Sequence, residues 1–329
     1  MNKITIFLLV IICIQIITLI INGLQGIHKY FLLSELDLYN RYESVKGNPW
    51  VVITGASSGQ GKEFAYEFAQ RDFNLLLIGS KRTEIVKKDL EKEYPNIHIK
   101  IIYKDFRDAH KDDFFDEIQK EFDTLDMNIS ILINNIGYRT GCNPYHEMDP
   151  KYIRDTISAK PIVQSRLTRM IIPIFMKRKN LKMKSCLLNI SAQCLHPNYL
   201  LGIMSSNEIS VPYLSVYEAS NAFCFYQSSS IYKEYRNDFD ILNITPGAVV
   251  TQNTEYLNTT LFSVSSIKFV KQVMKMIGQV KGNSCGYWGH AFSPFLINCF
   301  PFVKDRILQQ VGENIATNFM NSNKVYEFK

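Results

Sequence analysis

Hydrophobic positions divide the chain into zones of different period. Residues 4–21 are apolar and broken only by Thr5, Gln15 and Thr18. Eighteen residues rising 1.5 Å each cover about 27 Å, close to the hydrocarbon thickness of a bilayer. One Gln and two Thr make no polar face for an interfacial helix, and no small-x-small cleavage site follows Ile21. The pattern therefore predicts an uncleaved single-span anchor within residues 1–30. Residues 31–48 form a polar, charge-mixed linker.

From Pro49 the period changes. Short runs at 51–54, 74–78, 98–103, 130–134, 186–191 and 240–245 are rich in Val, Ile and Leu and do not alternate with polar residues. That is the signature of strands buried on both faces. Amphipathic stretches at 60–71, 82–94, 109–123, 151–178 and 214–236 separate them and predict helices. Repeated strand–helix units predict an α/β fold, a doubly wound parallel sheet with right-handed crossovers. The expected division is an anchor (1–30), a linker (31–48), a dinucleotide-binding domain (49–290) and a C-terminal extension (291–329). Within the last, 292–303 (FSPFLINCFPFV) is apolar enough to lie on the same membrane or against a partner, with ordinary core as the other reading.

Composition narrows this picture a little. With 46% hydrophobic and 21% charged residues among 329, the chain is neither disordered nor fibrous. The 37 Lys and Arg exceed the 31 Asp and Glu by six, and the excess is scattered. It suits an anionic membrane surface but gives no nucleic-acid footprint. The densest basic run, 177–184, reads as a solvated helix end. Seven cysteines without a Cys-x-x-Cys pair argue against a disulfide framework or a zinc site and for a reducing compartment. His196 and His290 have no ligand-spaced partners and read as packing residues, so no metal site is expected.

The chemistry begins at Thr54-Gly55-Ala56-Ser57-Ser58-Gly59-Gln60-Gly61-Lys62, directly after the first strand and opening a helix. Gly55 permits a tight turn, Gly59 lets backbone approach a pyrophosphate, and Gly61 permits close helix–strand packing. The spacing is G-x3-G-x-G. It resembles the short-chain dehydrogenase/reductase family. Asn134-Asn135-Ile136-Gly137, Asn189-Ile190-Ser191, Tyr217 and Pro246-Gly247 follow in that family's order, so the resemblance covers the whole domain. The anchor and Gly286-Tyr287…His290 are similar to the membrane-bound 17β-hydroxysteroid dehydrogenase and very-long-chain 3-oxoacyl-CoA reductase branch. The resemblance implies that Gly55, Ser57, Ser58, Gly59, Gly61, Gly137, Pro246 and Gly247 surround a nicotinamide cofactor. It also implies that Asp105 touches the adenine and that Asn134 supports the sheet beside it.

Cofactor choice has a physical argument of its own. An NAD site needs an acid after the second strand for the ribose 2′-hydroxyl. Here Gly79-Ser80-Lys81-Arg82 offers no acid and two cations, which favours the 2′-phosphate of NADP(H) over a merely solvated helix start.

The catalytic positions depart from the family's pattern. The family uses a tyrosine as proton donor and a lysine four residues on to lower its pKa. A serine steadies the substrate oxygen, and an asparagine in the preceding long helix completes a proton relay. Tyr217 matches the tyrosine, but Asn221 stands at the lysine position, Ala192 at the serine position and Lys160 at the asparagine position. A segment of 24 residues separates Ala192 from Tyr217, longer than the family's.

Two functional readings follow. With three of four roles changed, the first is a catalytically degenerate accessory or structural subunit of a membrane assembly that keeps an NADP(H) pocket. The second is a working NADPH-dependent reductase of a 3-oxoacyl-CoA or steroid ketone. In that reading Lys160 takes over from the lost lysine, and Ser191, Cys194, Ser205 or Ser206 replaces the hydroxyl. By resemblance the membrane is the endoplasmic reticulum, with the mitochondrial inner membrane as the other possibility.

Overall fold

The computed structural model describes residues 3–138, 142–193, 210–251, 254, 258–299 and 301–321. Cys194, His196, Ser205 and Ser206, and with them residues 194–209 of the long segment before Tyr217, lie outside the described residues.

An apolar helix α1 (Lys3–Ile27) leads through a π turn (His28–Leu32) and a short helix α2 (Leu38–Arg41) into the domain. There follow β1 (Trp50–Thr54), α3 (Gly59–Ala69), β2 (Asn74–Gly79), α4 (Thr83–Glu93), β3 (Ile99–Tyr103), α5 (Asp116–Leu125) and β4 (Ile129–Asn134). The second half holds α6 (Pro150–Ile157), α7 (Val163–Asn180), β5 (Cys186–Ile190), α8 (Ser215–Tyr235) and β6 (Asp240–Ile244). A two-stranded ribbon, β7 (Ala248–Val250) with β8 (Ser263–Ser265), precedes α9 (Ser266–Met276) and β9 (Gly282–Ser284). Helices α10 (Trp288–Cys299) and α11 (Pro301–Asn321) complete the described chain.

Seven strands form one parallel sheet in the order β3-β2-β1-β4-β5-β6-β9. Strand pleating sends Val51, Ile53, Leu75, Leu77, Ile131 and Ile133 to one side, against Phe64, Phe68 and Phe269 of α3 and α9. Val52, Leu76, Ile78, Leu132 and Leu187 go to the other, against α5 and α7. Both faces are buried, which is why the strand runs show no alternation. The strand order reverses between β1 and β4, and the crevice beyond their carboxyl ends is where this topology places a ligand.

Three expectations are corrected. The helix expected over 151–178 is interrupted by a π turn, Ser158–Ile162, around Pro161. Proline has no N–H for the helical ladder and its ring crowds the preceding turn, so the ladder resets there. The helix expected over 109–123 starts only at Asp116, after single 3-10 turns at Phe106–Asp108 and Asp112–Phe115. Finally, 31–48 is no free linker. Leu38 and Tyr42 are buried in the core, the Tyr42 hydroxyl donates to Asp240 Oδ2 at 2.9 Å, and Arg41 reaches the same oxygen at 2.8 Å.

Candidate active site

The loop after β1 is built by local chemistry. Thr54 Oγ1 donates to the Ile133 carbonyl oxygen at 3.3 Å and accepts from the Asn135 backbone N–H at 2.9 Å, tying the ends of β1 and β4 together. Gly55 (φ 70°) and Gly59 (φ 56°) take left-handed conformations that a side chain would strain. A Cβ on Gly61 would lie 2.3 Å from the Gly55 carbonyl oxygen, so α3 meets β1 more closely than any other residue allows. The amino end of α3 then faces a cavity of about 340 Å³.

Gly55, Ser57, Ser58, Gly59, Arg82, Asp105, Gly137, Pro246 and Gly247 all line this cavity. Gly61, Lys81 and Asn134 do not. Gly61 lies beneath the loop. Asn134 is buried, donating through Nδ2 to Asn189 Oδ1 at 2.8 Å and Thr168 Oγ1 at 3.2 Å, while Asn189 donates to Ser228 Oγ at 2.9 Å. That network couples β4, β5, α7 and α8 below the cavity floor.

Sequence reasoning missed Arg107 and Tyr138, which also line the cavity. Arg107 Nε lies 2.9 and 3.0 Å from the two oxygens of Asp105, and its Nη2 binds Oδ2 as well. Partial burial pushes the Asp105 carboxyl up, but the bonds from Arg107 outweigh this and hold it below the usual range. The Asp-x-Arg spacing after β3 was the available signal. Thr251 was missed too: its methyl carbon lies 3.1 Å from where a Gly59 Cβ would stand, so the loop after β6 closes over the glycine loop.

At the catalytic end Tyr217, half-buried in the first turn of α8, shares the cavity wall with Lys160, Ser191 and Ala192. Lys160 comes from the π turn. Its side chain is buried and its ammonium donates to the Ile190 carbonyl oxygen at 3.1 Å, at the end of β5. Its charge is felt across the gap on α8: burial pushes the Cys224 thiol up to about 11, and the Lys160 charge opposes that rise. Asn221 is fully buried and lies off the cavity wall, its Nδ2 donating to the Tyr217 carbonyl oxygen at 2.8 Å. Its Oδ1 has no hydrogen-bond partner among the described residues. Ser191 Oγ donates to the Ile244 carbonyl oxygen at 3.4 Å.

His290 packs as a buried ring between Phe269 and Tyr287. Its Nε2 lies 3.1 Å from the Ala248 carbonyl oxygen, which only accepts, so Nε2 carries the proton. A Cβ on Gly247 would meet the ring at 2.9 Å. The histidine thus fastens α10 to the loop that walls the cavity.

The short chain dehydrogenase family model matches residues 49–190. Human 17-beta-hydroxysteroid dehydrogenase type 3 is 30% identical over 257 residues, 77% of this chain and 75% of that protein. Very-long-chain 3-oxoacyl-CoA reductase of Candida albicans is 25% identical over 287 residues, covering 83% and 77%. Among solved structures, a short-chain dehydrogenase from Sphingobium yanoikuyae in complex with NADPH superposes with a TM-score of 0.59 at 20% identity, covering 72% of this chain and 87% of that one.

Proposed function

The chain belongs to the short-chain dehydrogenase/reductase family, and from that premise we propose that it is a membrane-anchored, NADP(H)-dependent reductase of a lipid-like carbonyl, a 3-oxoacyl-CoA or a steroid ketone. One observation carries the reading: Tyr217 and Lys160 open onto the same cavity as the glycine loop. Relatives named as a hydroxysteroid dehydrogenase and an oxoacyl-CoA reductase, each matched over three quarters of its length or more, favour a working enzyme over a degenerate accessory subunit.

The residues present fit a dinucleotide. A side chain at Gly61 would collide with the Gly55 backbone, and Gly55 and Gly59 hold left-handed conformations on the cavity wall. Gly55, Ser57, Ser58 and Gly59 would hold the pyrophosphate, Arg82 the 2′-phosphate and Asp105 the adenine. When bound, the nicotinamide supplies the hydride that reduces the carbonyl carbon. The chain supplies the proton, from the Tyr217 hydroxyl to the carbonyl oxygen. An unassisted phenol has a pKa near 10, about three units above neutral, and each unit corresponds to roughly 1.4 kcal/mol. A cation beside the phenol favours its ionised form and lowers that barrier. Lys160, which lines the same cavity as Tyr217, is the cation we assign to this role. Ala192 offers no donor, and Ser191 gives its proton to Ile244, so Tyr217 makes the main contact to the substrate oxygen.

The deciding experiment is NADPH consumption by the full-length protein in detergent or vesicles, with a long-chain 3-oxoacyl-CoA and a steroid ketone as separate substrates, beside Tyr217→Phe. Turnover that vanishes in Tyr217→Phe while NADPH still binds is expected. Turnover that survives the substitution would remove Tyr217 from its role. NADPH binding with no turnover on either substrate would return the accessory-subunit reading. The endoplasmic reticulum is the membrane that the family branch suggests.

A further inference from the structure

The anchor is held against one edge of the domain. Gln272 of α9 donates to the Tyr30 carbonyl oxygen at 2.6 Å, and Gln279 to that of Ser34 at 2.7 Å. The Phe31 ring lies 6.1 Å from that of Trp288, the first residue of α10. The apolar helix extends to Leu32. A spanning helix ends in the interfacial layer, so the surface that holds Phe31 sits at the level of the headgroups, where tryptophan and lysine are favoured.

Apolar side chains are exposed around this point. The Leu261 side chain is 62% exposed, while its carbonyl oxygen would lie 2.1 Å from a Cβ on Gly289, so it stands at the start of α10. Phe262 beside it is also exposed. Helix α11 divides into two faces. Leu308 and Ala316 are buried, and Gly312 presses on Pro212. Val303, Ile307 and Val311, at a spacing of four, are exposed along the outer face. Lys268 lies over the Tyr287 ring at 5.7 Å, placing a cation beside the same edge. Exposed apolar side chains gathered beside an apolar anchor mark a surface that something covers.

We propose that the domain lies down on the bilayer through this face. The Leu261–Phe262 turn and the outer stripe of α11 enter the interfacial layer beside the anchor, and Lys268 meets anionic headgroups. Lipid is the occupant because the Leu261–Phe262 turn adjoins the start of α10, where Phe31 at the end of the anchor packs on Trp288, and α11 packs on α10 in turn. The consequence is functional. Ala248 and Val249 line the cavity and pair with Ser263 and Val264, directly after Phe262, so a lipid-like substrate reaches the cavity from the membrane side. The inference rests on α1 being a membrane anchor.

The test uses the full-length chain in vesicles of phosphatidylcholine and phosphatidylserine, with an environment-sensitive fluorophore on a single cysteine. Every sample carries Cys194→Ser and Cys299→Ser, and Cys142, Cys186, Cys224 and Cys285 are buried; the labelled positions are Leu261→Cys and Ile307→Cys with Cys13→Ser as well, and Tyr103→Cys in the same background is the control. Tyr103 is on β3, at the opposite edge of the sheet from β9, roughly 29 Å away at six strand spacings. A fourth sample carries the label on native Cys13, exposed on α1. Blue-shifted emission at Leu261→Cys and Ile307→Cys, mostly lost when spin-labelled lipid is added, with no change at Tyr103→Cys, is the expected result. If both behave like the control while Cys13 is quenched, the anchor stands and the inference falls. A blue shift without quenching by lipid would mean that a protein covers the face, and would also overturn it. An unquenched Cys13 would remove the anchor reading itself.

Discussion

Lys160 of the π turn and Asn221 of α8 stand on two segments that pack together, and each side chain donates to a backbone carbonyl oxygen. Lys160 sends its ammonium to the Ile190 carbonyl oxygen at 3.1 Å on the cavity wall, and Asn221 folds its amide back onto the Tyr217 carbonyl oxygen at 2.8 Å. In the proposed reading the cation that serves Tyr217 stands on the segment packed against α8, while the amide of Asn221 stands on α8 itself. Replacing Lys160 by Met should lower kcat by about 10²–10⁴-fold, the usual yield of positioned acid–base catalysis. It should also move the basic limb of the kcat/KM profile upward, because the phenol loses its cation. The double exchange Lys160→Asn with Asn221→Lys should recover more activity than either single change. An unaltered pH profile in Lys160→Met would show that the ammonium serves only the Ile190 carbonyl.

Arg82 lines the cavity and Lys81 does not, so the two cations after β2 should separate in a binding experiment. Arg82→Ala should weaken NADPH by about tenfold or more, equivalent to the loss of one charge-assisted bond, and leave NADH nearly unchanged. Lys81→Ala should do little to either. Titration of each variant with both nucleotides, read by fluorescence, checks the assignment. Equal losses for NADPH and NADH in Arg82→Ala would place the 2′-phosphate elsewhere, with Arg107 the nearest alternative on the wall.

How far the fold was legible follows from which forces act locally. Five of the six main strands could be read because each is buried on both faces, and burial writes an unbroken apolar run into the sequence; the edge strand β3 is partly exposed but keeps enough Ile to be read. β9 could not be read: Gly282–Ser284 is three small polar residues pairing at the sheet edge, held by backbone bonds to β6 that need no apolar side chains. The break at Ser158–Ile162 was written in Pro161, yet the amphipathic pattern on either side concealed it. In the site, the glycine loop was legible because its glycines answer steric demands that only glycine meets. Arg107 was not, since a guanidinium two residues from an acid reads as a surface pair until the sheet places both on a cavity. Tyr42 and Arg41 had the same fate: their partner Asp240 is almost two hundred residues away, and no local pattern joins them.

The closeness of Gly61 to Gly55 sets a limit on the glycine loop. A methyl group at 61 would stand 2.3 Å from the Gly55 carbonyl oxygen, and backbone on both sides cannot swing away as a flexible side chain would. Gly61→Ala should therefore destabilise the fold by about 1–3 kcal/mol, as overpacking does, and widen the loop enough to abolish nucleotide binding. Gly26→Ala on α1 is the control, because nothing lies within 4 Å of a Cβ there and the residue is not on the cavity wall. Thermal unfolding and nucleotide titration of the pair should show the first variant impaired in both and the second in neither. A Gly61→Ala protein that binds NADPH normally would mean that the junction of α3 and β1 is looser than its geometry.

His290 should make stability fall with acid over a defined window. Burial pushes its ring down to about 4, only partly offset by the bond to Ala248, from an ordinary value of 6.5. The unfolded chain binds the proton as pH drops below about 6.5, while the folded chain refuses it until about 4. The neutral ring's contribution is therefore complete above 6.5, is lost progressively between 6.5 and 4, and does not change further below that. The full loss is on the order of 3 kcal/mol. His290→Gln has no titrating group and can still donate to the Ala248 oxygen, so it should lose this slope while keeping the α10 contact. With thermal midpoints of both proteins measured at half-unit steps from pH 7.5 to 4 in one detergent, that of the wild type would fall relative to that of His290→Gln as pH drops from 6.5 to 4. Carboxylates common to both cancel in the difference. Parallel curves would mean that the ring is protonated without cost, and that α10 is not fastened to the cofactor loop through a neutral imidazole.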